Sequence, residues 1–67
     1  MLYFSDWLQQ AVLFLDLTTM QLGTVFSEKG LTPADIALAG NTLLIPNMLH
    51  QEIIMLNLDS GEVKRIR

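Results

Sequence analysis

Few side chains in this sequence have the chemistry to act on a substrate or to hold a metal ion. His50 is the one imidazole and could be a general base, but no acid, nucleophile or metal-binding cluster surrounds it. Asp6 and Asn47 carry the hard oxygen atoms that Ca²⁺ and Mg²⁺ prefer. Both residues also suit the end of a strand, because such side chains bond to nearby backbone. Asp35, beside Pro33, is expected to be a loop residue, with a ligand role as the alternative.

The familiar catalytic patterns are missing from the chain. Ser5, Ser27 and Ser60 lie in no nucleophile-elbow pattern, and no glycine-rich phosphate loop is present. No single predicted element carries two carboxylates at a catalytic spacing. The sequence therefore predicts a protein without intrinsic catalysis.

The composition points to association with other chains. The chain has 67 residues, of which 51% are hydrophobic and 16% charged, and it has no cysteine. Domains below roughly 70–80 residues rarely gain more than a few kcal/mol from one core, and they use disulfides, metals or oligomerisation. Disulfides are excluded, and a single histidine makes a structural zinc site a poor expectation. We therefore expect a homo-oligomer.

Charge and hydropathy narrow the class of partner. The formal net charge is −3, and three of the four basic residues fall in the last four positions, so nucleic acid is not an expected partner. No run of 18 apolar residues is present, so neither a transmembrane helix nor a membrane partner is expected. The first residues lack a basic region and a cleavage site, so they do not resemble a signal peptide. The absence of cysteine favours a reducing compartment such as the cytoplasm.

Two parts of the sequence resemble each other, and this similarity predicts the strands that position these residues. Residues 2–26 align without a gap on residues 43–67, an offset of 41, which matches apolar positions with apolar positions and places Asp6 on Asn47. A period of this length is typical of a β-propeller blade of four strands. The first fifteen residues could also form a helix, but Ile53 and Ile54 in the matching stretch favour strand. The predicted strands are 2–5, 12–17, 22–26, 35–38, 42–45, 52–58 and 63–67.

The turn residues resemble those of a known repeat class. Pro33 precedes a short strand, Gly40-Asn41 forms a tight turn, and Asp59-Ser60-Gly61 follows an apolar strand. This pattern resembles a blade of the NHL, YVTN and SMP-30-like β-propellers. The resemblance implies an all-β fold of antiparallel, four-stranded blade repeats. Met20 stands where the other copy has Gly61, so we expect a different turn there.

The resemblance also implies how the chain is organised. The single unit 1–67 would contain a partial repeat at 1–26, a linker with an inner strand at 27–41, and a second copy at 42–67. A propeller needs four to eight blades, so other chains or a missing remainder would have to complete it. The expected function is self-association into a propeller-like assembly, and Trp7 and Met48, which match at the offset of 41, are expected to pack between blades.

Two alternatives remain open at the sequence level. SMP-30-like propellers bind a divalent metal through Asp, Asn and Glu side chains, so the resemblance implies Asp6 and Asn47 as ligands of Ca²⁺ in part of a six-bladed hydrolase or lactonase. The chain offers only Asp35 and Glu52 as further oxygen donors to such a site, and Glu52 is expected on the far side of a loop from Asn47. The other alternative is a small β-rich module that binds another protein.

Overall fold

The chain folds into two antiparallel β-sheets. The computed structural model describes all residues, 1–67, and confirms the all-β prediction. The N-terminal sheet has the order β1-β2-β3 and the C-terminal sheet has the order β4-β5-β6-β7. No helix of the chain has the length and apolar character needed to cross a membrane. The strands are β1 Leu2–Asp6, β2 Ala11–Asp16, β3 Gln21–Ser27, β4 Ala37–Ala39, β5 Thr42–Asn47, β6 Glu52–Asn57 and β7 Val63–Ile66.

The two sheets share one pairing register at the offset of 41 that aligns the sequence. Leu2 pairs with Leu15 in the first sheet, and Leu43 pairs with Leu56 in the second. The first residues, for which a helix was the alternative, are thus paired strands. The turns between these strands also match, since Gln10 and Gln51 both adopt a positive φ, of 56° and 52°. Each of these glutamines donates its backbone N–H to the carbonyl three residues earlier, at 3.2 Å.

The second turn is also shared, and the prediction of a different turn at Met20 is wrong. Met20 has φ 60° and Gly61 has φ 77°, both in the left-handed region. Each donates its N–H to the carbonyl four residues earlier, that of Asp16 at 2.6 Å or that of Asn57 at 2.8 Å. The Oδ1 atom of Asp16 or Asn57 accepts two further backbone N–H groups of its own turn. These bonds hold the turn in shape even where a methionine must adopt the strained backbone.

Pro46 lies inside β5, although the strand predicted from the sequence, 42–45, stops just before it. Pro46 pairs with Ile53 of β6, and its carbonyl accepts the N–H of Ala34 at 3.0 Å. In an extended strand the N and C=O of one residue point to the same side. The nitrogen of Pro46 therefore faces the linker and not β6, so the absent N–H removes no bond of the β5–β6 ladder.

The core lies between the two sheets. The fully buried cluster joins Val12 of the N-terminal sheet to Ile54 of the C-terminal sheet, and Leu31 of the linker is also part of it. Tyr3 and Phe26 pack against this cluster. Because side chains alternate along a strand and paired residues share a face, each sheet has a core face and an outer face. The remaining buried members of the cluster are Leu43, Ile45 and Leu56.

Candidate functional site

Asp6, the first predicted metal ligand, ends β1 and closes the following turn. Its Oδ1 accepts the backbone N–H of Gln9 at 3.2 Å, in an exposed position. This is the turn-forming use of an aspartate that the sequence also allowed.

Asn47, the second predicted ligand, is buried at the end of β5 with 1% of its surface exposed. Its Oδ1 accepts the backbone N–H of Thr32 at 2.9 Å and the hydroxyl of Thr32 at 3.1 Å. Its Nδ2 donates to Glu52 at 2.9 Å. Asp6 and Asn47 share no hydrogen-bond partner, and no group of three or more His, Cys, Asp or Glu side chains that could hold a metal ion occurs in residues 1–67.

The other residues considered from the sequence lie at the surface. The ring Nε2 of His50 lies 3.0 Å from the carbonyl oxygen of Gly30, and His50 takes part in none of the salt bridges of the chain. Asp35 is exposed in the bend that precedes β4. Trp7 and Met48 occupy equivalent turns and are 66% and 62% exposed within this chain.

Sequence reasoning missed a network of charged side chains centred on Glu52. The Glu52 side chain is 1% exposed, and its two carboxylate oxygens accept from Asn47 at 2.9 Å, Arg65 at 2.7 Å and Arg67 at 2.9 Å. Arg65 also forms a two-pronged ion pair with Glu28, which lies just beyond β3 of the other sheet. The network therefore connects both sheets and the linker.

The expectation that Glu52 lies far from Asn47 is wrong. The two residues flank a turn whose 3₁₀ portion is Met48–His50, and they are paired directly across β5 and β6. A signal for the network was present in the sequence. Arg65 lies in β7 and Arg67 follows directly after it, two residues apart as in side chains that share a strand face, and Glu52 is a lone carboxylate at the start of an apolar strand. The β6–β7 hairpin register brings that face beside Glu52.

The charged partners set the ionisation of the network. Hydrogen bonds from Asn47 and Arg67, aided by the charges of Arg65 and Arg67, lower the pKa of Glu52 from 4.5 to about 2. The hydrogen bond to Glu28 is the main reason that the pKa of Arg65 is raised. Glu52 is therefore a carboxylate held permanently ionised at neutral pH, which suits structural charge pairing and not general-acid catalysis.

An open cavity of about 340 Å³ adjoins this network. Its apolar part consists of Met48 and of Pro46, Ile53 and Ile66, the last three of which are cross-strand neighbours on the outer face of the C-terminal sheet. Ile53 is 43% exposed and Ile66 is 54% exposed. The cavity is thus mainly an apolar recess, and the one carboxylate among its lining residues, Glu52, is paired with Arg65 and Arg67. The remaining lining residues are Asn47, Gln51, Glu52 and Arg67.

Comparison with known proteins adds no relative: the chain matches no protein-family profile, no curated protein and no solved structure.

Proposed function

We propose that this chain is a β-propeller-like repeat unit that self-associates head to tail. In this arrangement the outer face of the C-terminal sheet of one copy packs on the outer face of the N-terminal sheet of the next. The proposal rests on one observation: Ile53 and Leu2, which are exposed on the outer faces of the two sheets, stand at the offset of 41 for Val12 and Leu43, which are buried.

The outer face of the C-terminal sheet corresponds to the core face of the N-terminal sheet. The core face of the N-terminal sheet uses Tyr3 and Val12, and Val12 is fully buried. Their equivalents at the offset of 41 are Leu44 and Ile53, on the outer face of the C-terminal sheet. Ile53 is 43% exposed there, so an apolar side chain stands at the surface where its counterpart is in the core. This surface has the residue types of a sheet-packing face.

The outer face of the N-terminal sheet corresponds in turn to the core face of the C-terminal sheet. The C-terminal sheet buries Leu43 and Ile45 on its core face. Their equivalents are Leu2 and Phe4 of β1. Leu2 is 51% exposed, and Leu22, two strands away on the same face, is 63% exposed. Contiguous exposed apolar surface of this kind marks interaction sites in soluble proteins.

The two surfaces differ, so their contact is heterologous. Packing one on the other repeats the sheet-to-sheet contact already made inside the chain, with a second copy supplying the next sheet. A heterologous contact closes into a ring when the rotation per unit allows it and otherwise extends as a filament. Self-association would also relieve the marginal core of a chain this small.

Light scattering after size-exclusion chromatography tests the proposal. We expect the wild-type chain to have a mass several times the 7.5 kDa of one copy. Ile53→Glu and Leu22→Glu each place a charge on one of the two outer faces and should each give monomers. Leu49→Glu is the matched control, because Leu49 is 80% exposed in the turn at Met48–His50 and lies on neither face.

Mixing the two variants tests the head-to-tail geometry. The Ile53→Glu chain keeps an intact N-terminal outer face, and the Leu22→Glu chain keeps an intact C-terminal outer face. An equimolar mixture should therefore form a dimer of 1:1 composition, whereas each variant alone stays monomeric. A folded, monodisperse wild-type monomer at micromolar concentration would overturn the proposal, and a mixture that stays monomeric would contradict its geometry.

A further inference from the structure

The linker binds along the edge of β5 through a specific set of hydrogen bonds. Thr32 is its centre: its N–H and its hydroxyl donate to Asn47 Oδ1 at 2.9 and 3.1 Å, and its carbonyl accepts the N–H of Met48 at 3.0 Å. The Thr32 hydroxyl also accepts the N–H of Leu49 at 2.9 Å. Pro33 is buried in this contact and bridges to Asn47, and β4 then continues along the same edge. The chain thus contains a β-strand edge with its own extended ligand.

The edge of β1 repeats this acceptor and donor set. At the offset of 41, Asp6 stands for Asn47, and the N–H groups of Trp7 and Leu8 stand for those of Met48 and Leu49. The carbonyl of Ser5 stands for that of Pro46, which accepts the N–H of Ala34. Because β1 has the register of β5, these groups point away from β2, and β1 is the edge strand of its sheet.

The side-chain differences between the two edges preserve binding capacity. Asn47 is an amide whose NH₂ donates to the buried carboxylate of Glu52. Ala11 stands at the place of Glu52 in the N-terminal sheet, so Asp6 faces no second carboxylate there. Asp6 Oδ1 accepts the N–H of Gln9, and its second carboxylate oxygen can accept the N–H and the hydroxyl of a threonine. Hydrogen bonds to a charged acceptor are stronger than those to an amide.

We propose that the edge of β1 binds an extended segment of another protein, in which an apolar residue is followed by Thr or Ser, then Pro, then a small residue. The segment adds to the N-terminal sheet by β-augmentation, and its Thr or Ser is held by Asp6 as Thr32 is held by Asn47. This site uses the edge of a sheet, so it is separate from the outer faces that carry self-association.

A synthetic peptide with the sequence of residues 30–40 is the probe, because the chain's own linker is the known ligand of the equivalent edge. Its titration into the isotope-labelled wild-type chain should shift the amide resonances of Trp7 and Leu8 in a saturable manner. The fluorescence of Trp7, the one tryptophan, should follow the same curve. A scrambled peptide and a peptide with valine in place of the threonine are the controls, and both should bind at least about tenfold more weakly.

Variants of the chain assign the binding to the β1 edge. Asp6→Ala should weaken the peptide about tenfold, whereas Asp6→Asn, which restores the acceptor of Asn47, should retain binding. Asp16→Ala removes a turn aspartate of similar exposure in the same sheet and is the control. Equal affinity for the scrambled peptide, or unchanged affinity in Asp6→Ala, would overturn the proposal. It would also fail if the peptide shifted Met48 and Leu49 instead, since the peptide would then have exchanged with the linker at β5.

Discussion

The two sheets have the same backbone plan and opposite chemistry at their strand ends. Asp6 and Ala11 end the β1–β2 ladder, whereas Asn47 and the buried carboxylate of Glu52 end the β5–β6 ladder. The turns that set the register are bonded alike in both sheets, so the backbone plan does not depend on what the strand ends carry. The comparison teaches that the turn residues fix the strand register of each sheet, whereas the side chains at the strand ends fix its hydrogen-bond partners.

The charged network explains how the C-terminal sheet holds Thr32 of the linker. Glu52 orients the amide of Asn47, and Asn47 then presents its Oδ1 to Thr32. Arg65 joins this group to Glu28, so the end of β3 is bound to β7. In the N-terminal sheet Thr24 stands at the place of Arg65, and no equivalent network forms. Thr32 of the linker is therefore fixed beside β5, whereas β1 has no strand beside its outer edge.

The largest expected effect is a difference in stability between alanine substitutions on the two faces of β6. Ile54 is fully buried and Ile53 is 43% exposed. Ile54→Ala should lower the free energy of unfolding by about 2–5 kcal/mol, the usual cost of a cavity in a core. Ile53→Ala should change it by less than about 0.5 kcal/mol, as surface substitutions do. Urea unfolding of both variants in the Leu22→Glu background, which we expect to be monomeric, measures the difference.

Equal costs for the two alanine variants would contradict the assignment of core and outer faces. In the wild-type background, Ile53→Ala should affect assembly more than Ile54→Ala does. Ile53→Ala should reduce the assembled mass at a given concentration, and it should do so without lowering the stability of the single chain.

The second expected effect is a dependence of stability on acid that resides in the C-terminal sheet. The pKa of Glu52 is about 2 in the folded chain, below its ordinary value of 4.5. A carboxyl whose pKa falls on folding stabilises the protein fully above its ordinary pKa, and this contribution is lost as the pH falls through the folded value. The stability that Glu52 provides should therefore decline between about pH 4.5 and pH 2.

Thermal melts across this pH range, with Glu52→Gln beside the wild type, isolate the contribution. The melting temperature of Glu52→Gln should be below that of the wild type at pH 7, and the two should converge towards pH 2. Glu62→Gln is the control, because the Glu62 side chain is 62% exposed. A constant gap between Glu52→Gln and the wild type across the range would show that the carboxylate charge is not the source of the stability.

The third expected effect is the change in stability when the residue types at the equivalent positions of the shared turn are altered. Met20 and Gly61 have the same backbone conformation, with φ 60° and 77°, which costs a non-glycine residue about 1–2 kcal/mol. Met20→Gly should therefore stabilise the chain by up to about 1 kcal/mol, and Gly61→Val should destabilise it by about 1 kcal/mol or more. Denaturant midpoints of the two variants should move in opposite directions, and movement in the same direction would refute the equivalence of the turns.

Much of the fold can be predicted from the sequence, because local patterns determine it. Alternating apolar residues, the turn at Asp59-Ser60-Gly61 and the offset of 41 predict the seven strands to within about two residues. The strand pairing follows from these turns, since turn length sets the register of a hairpin. The prediction of a different turn at Met20 fails, because this turn is held by hydrogen bonds to Asp16 and does not need the conformational freedom of a glycine.

The candidate site could not be predicted in the same way, because it depends on contacts between distant elements. Glu28 and Arg65 are 37 residues apart and meet only when the two sheets have packed. Leu31 lies in a stretch that reads as polar loop, and it is fully buried because it fills the space between the sheets. Asn47 has the residue type of a metal ligand, and only its neighbours Thr32 and Glu52 reveal that its polar atoms are already used.

The smallest expected effect concerns calcium, which the resemblance to SMP-30-like propellers assigns to Asp6 and Asn47. Binding would raise stability by about 2.7 kcal/mol at a hundredfold excess over Kd. We expect millimolar Ca²⁺ to leave the melting temperature unchanged, because Ca²⁺ takes six to eight oxygen ligands and the Asn47 oxygen already accepts two hydrogen bonds. Asp6→Ala should then cost only the exposed bond to Gln9, about 0.5–1.5 kcal/mol, equally with and without the ion. Asp16→Ala is the matched turn control. A calcium-dependent rise in melting temperature that disappears in Asp6→Ala and persists in Asp16→Ala would instead support a metal site completed by other chains.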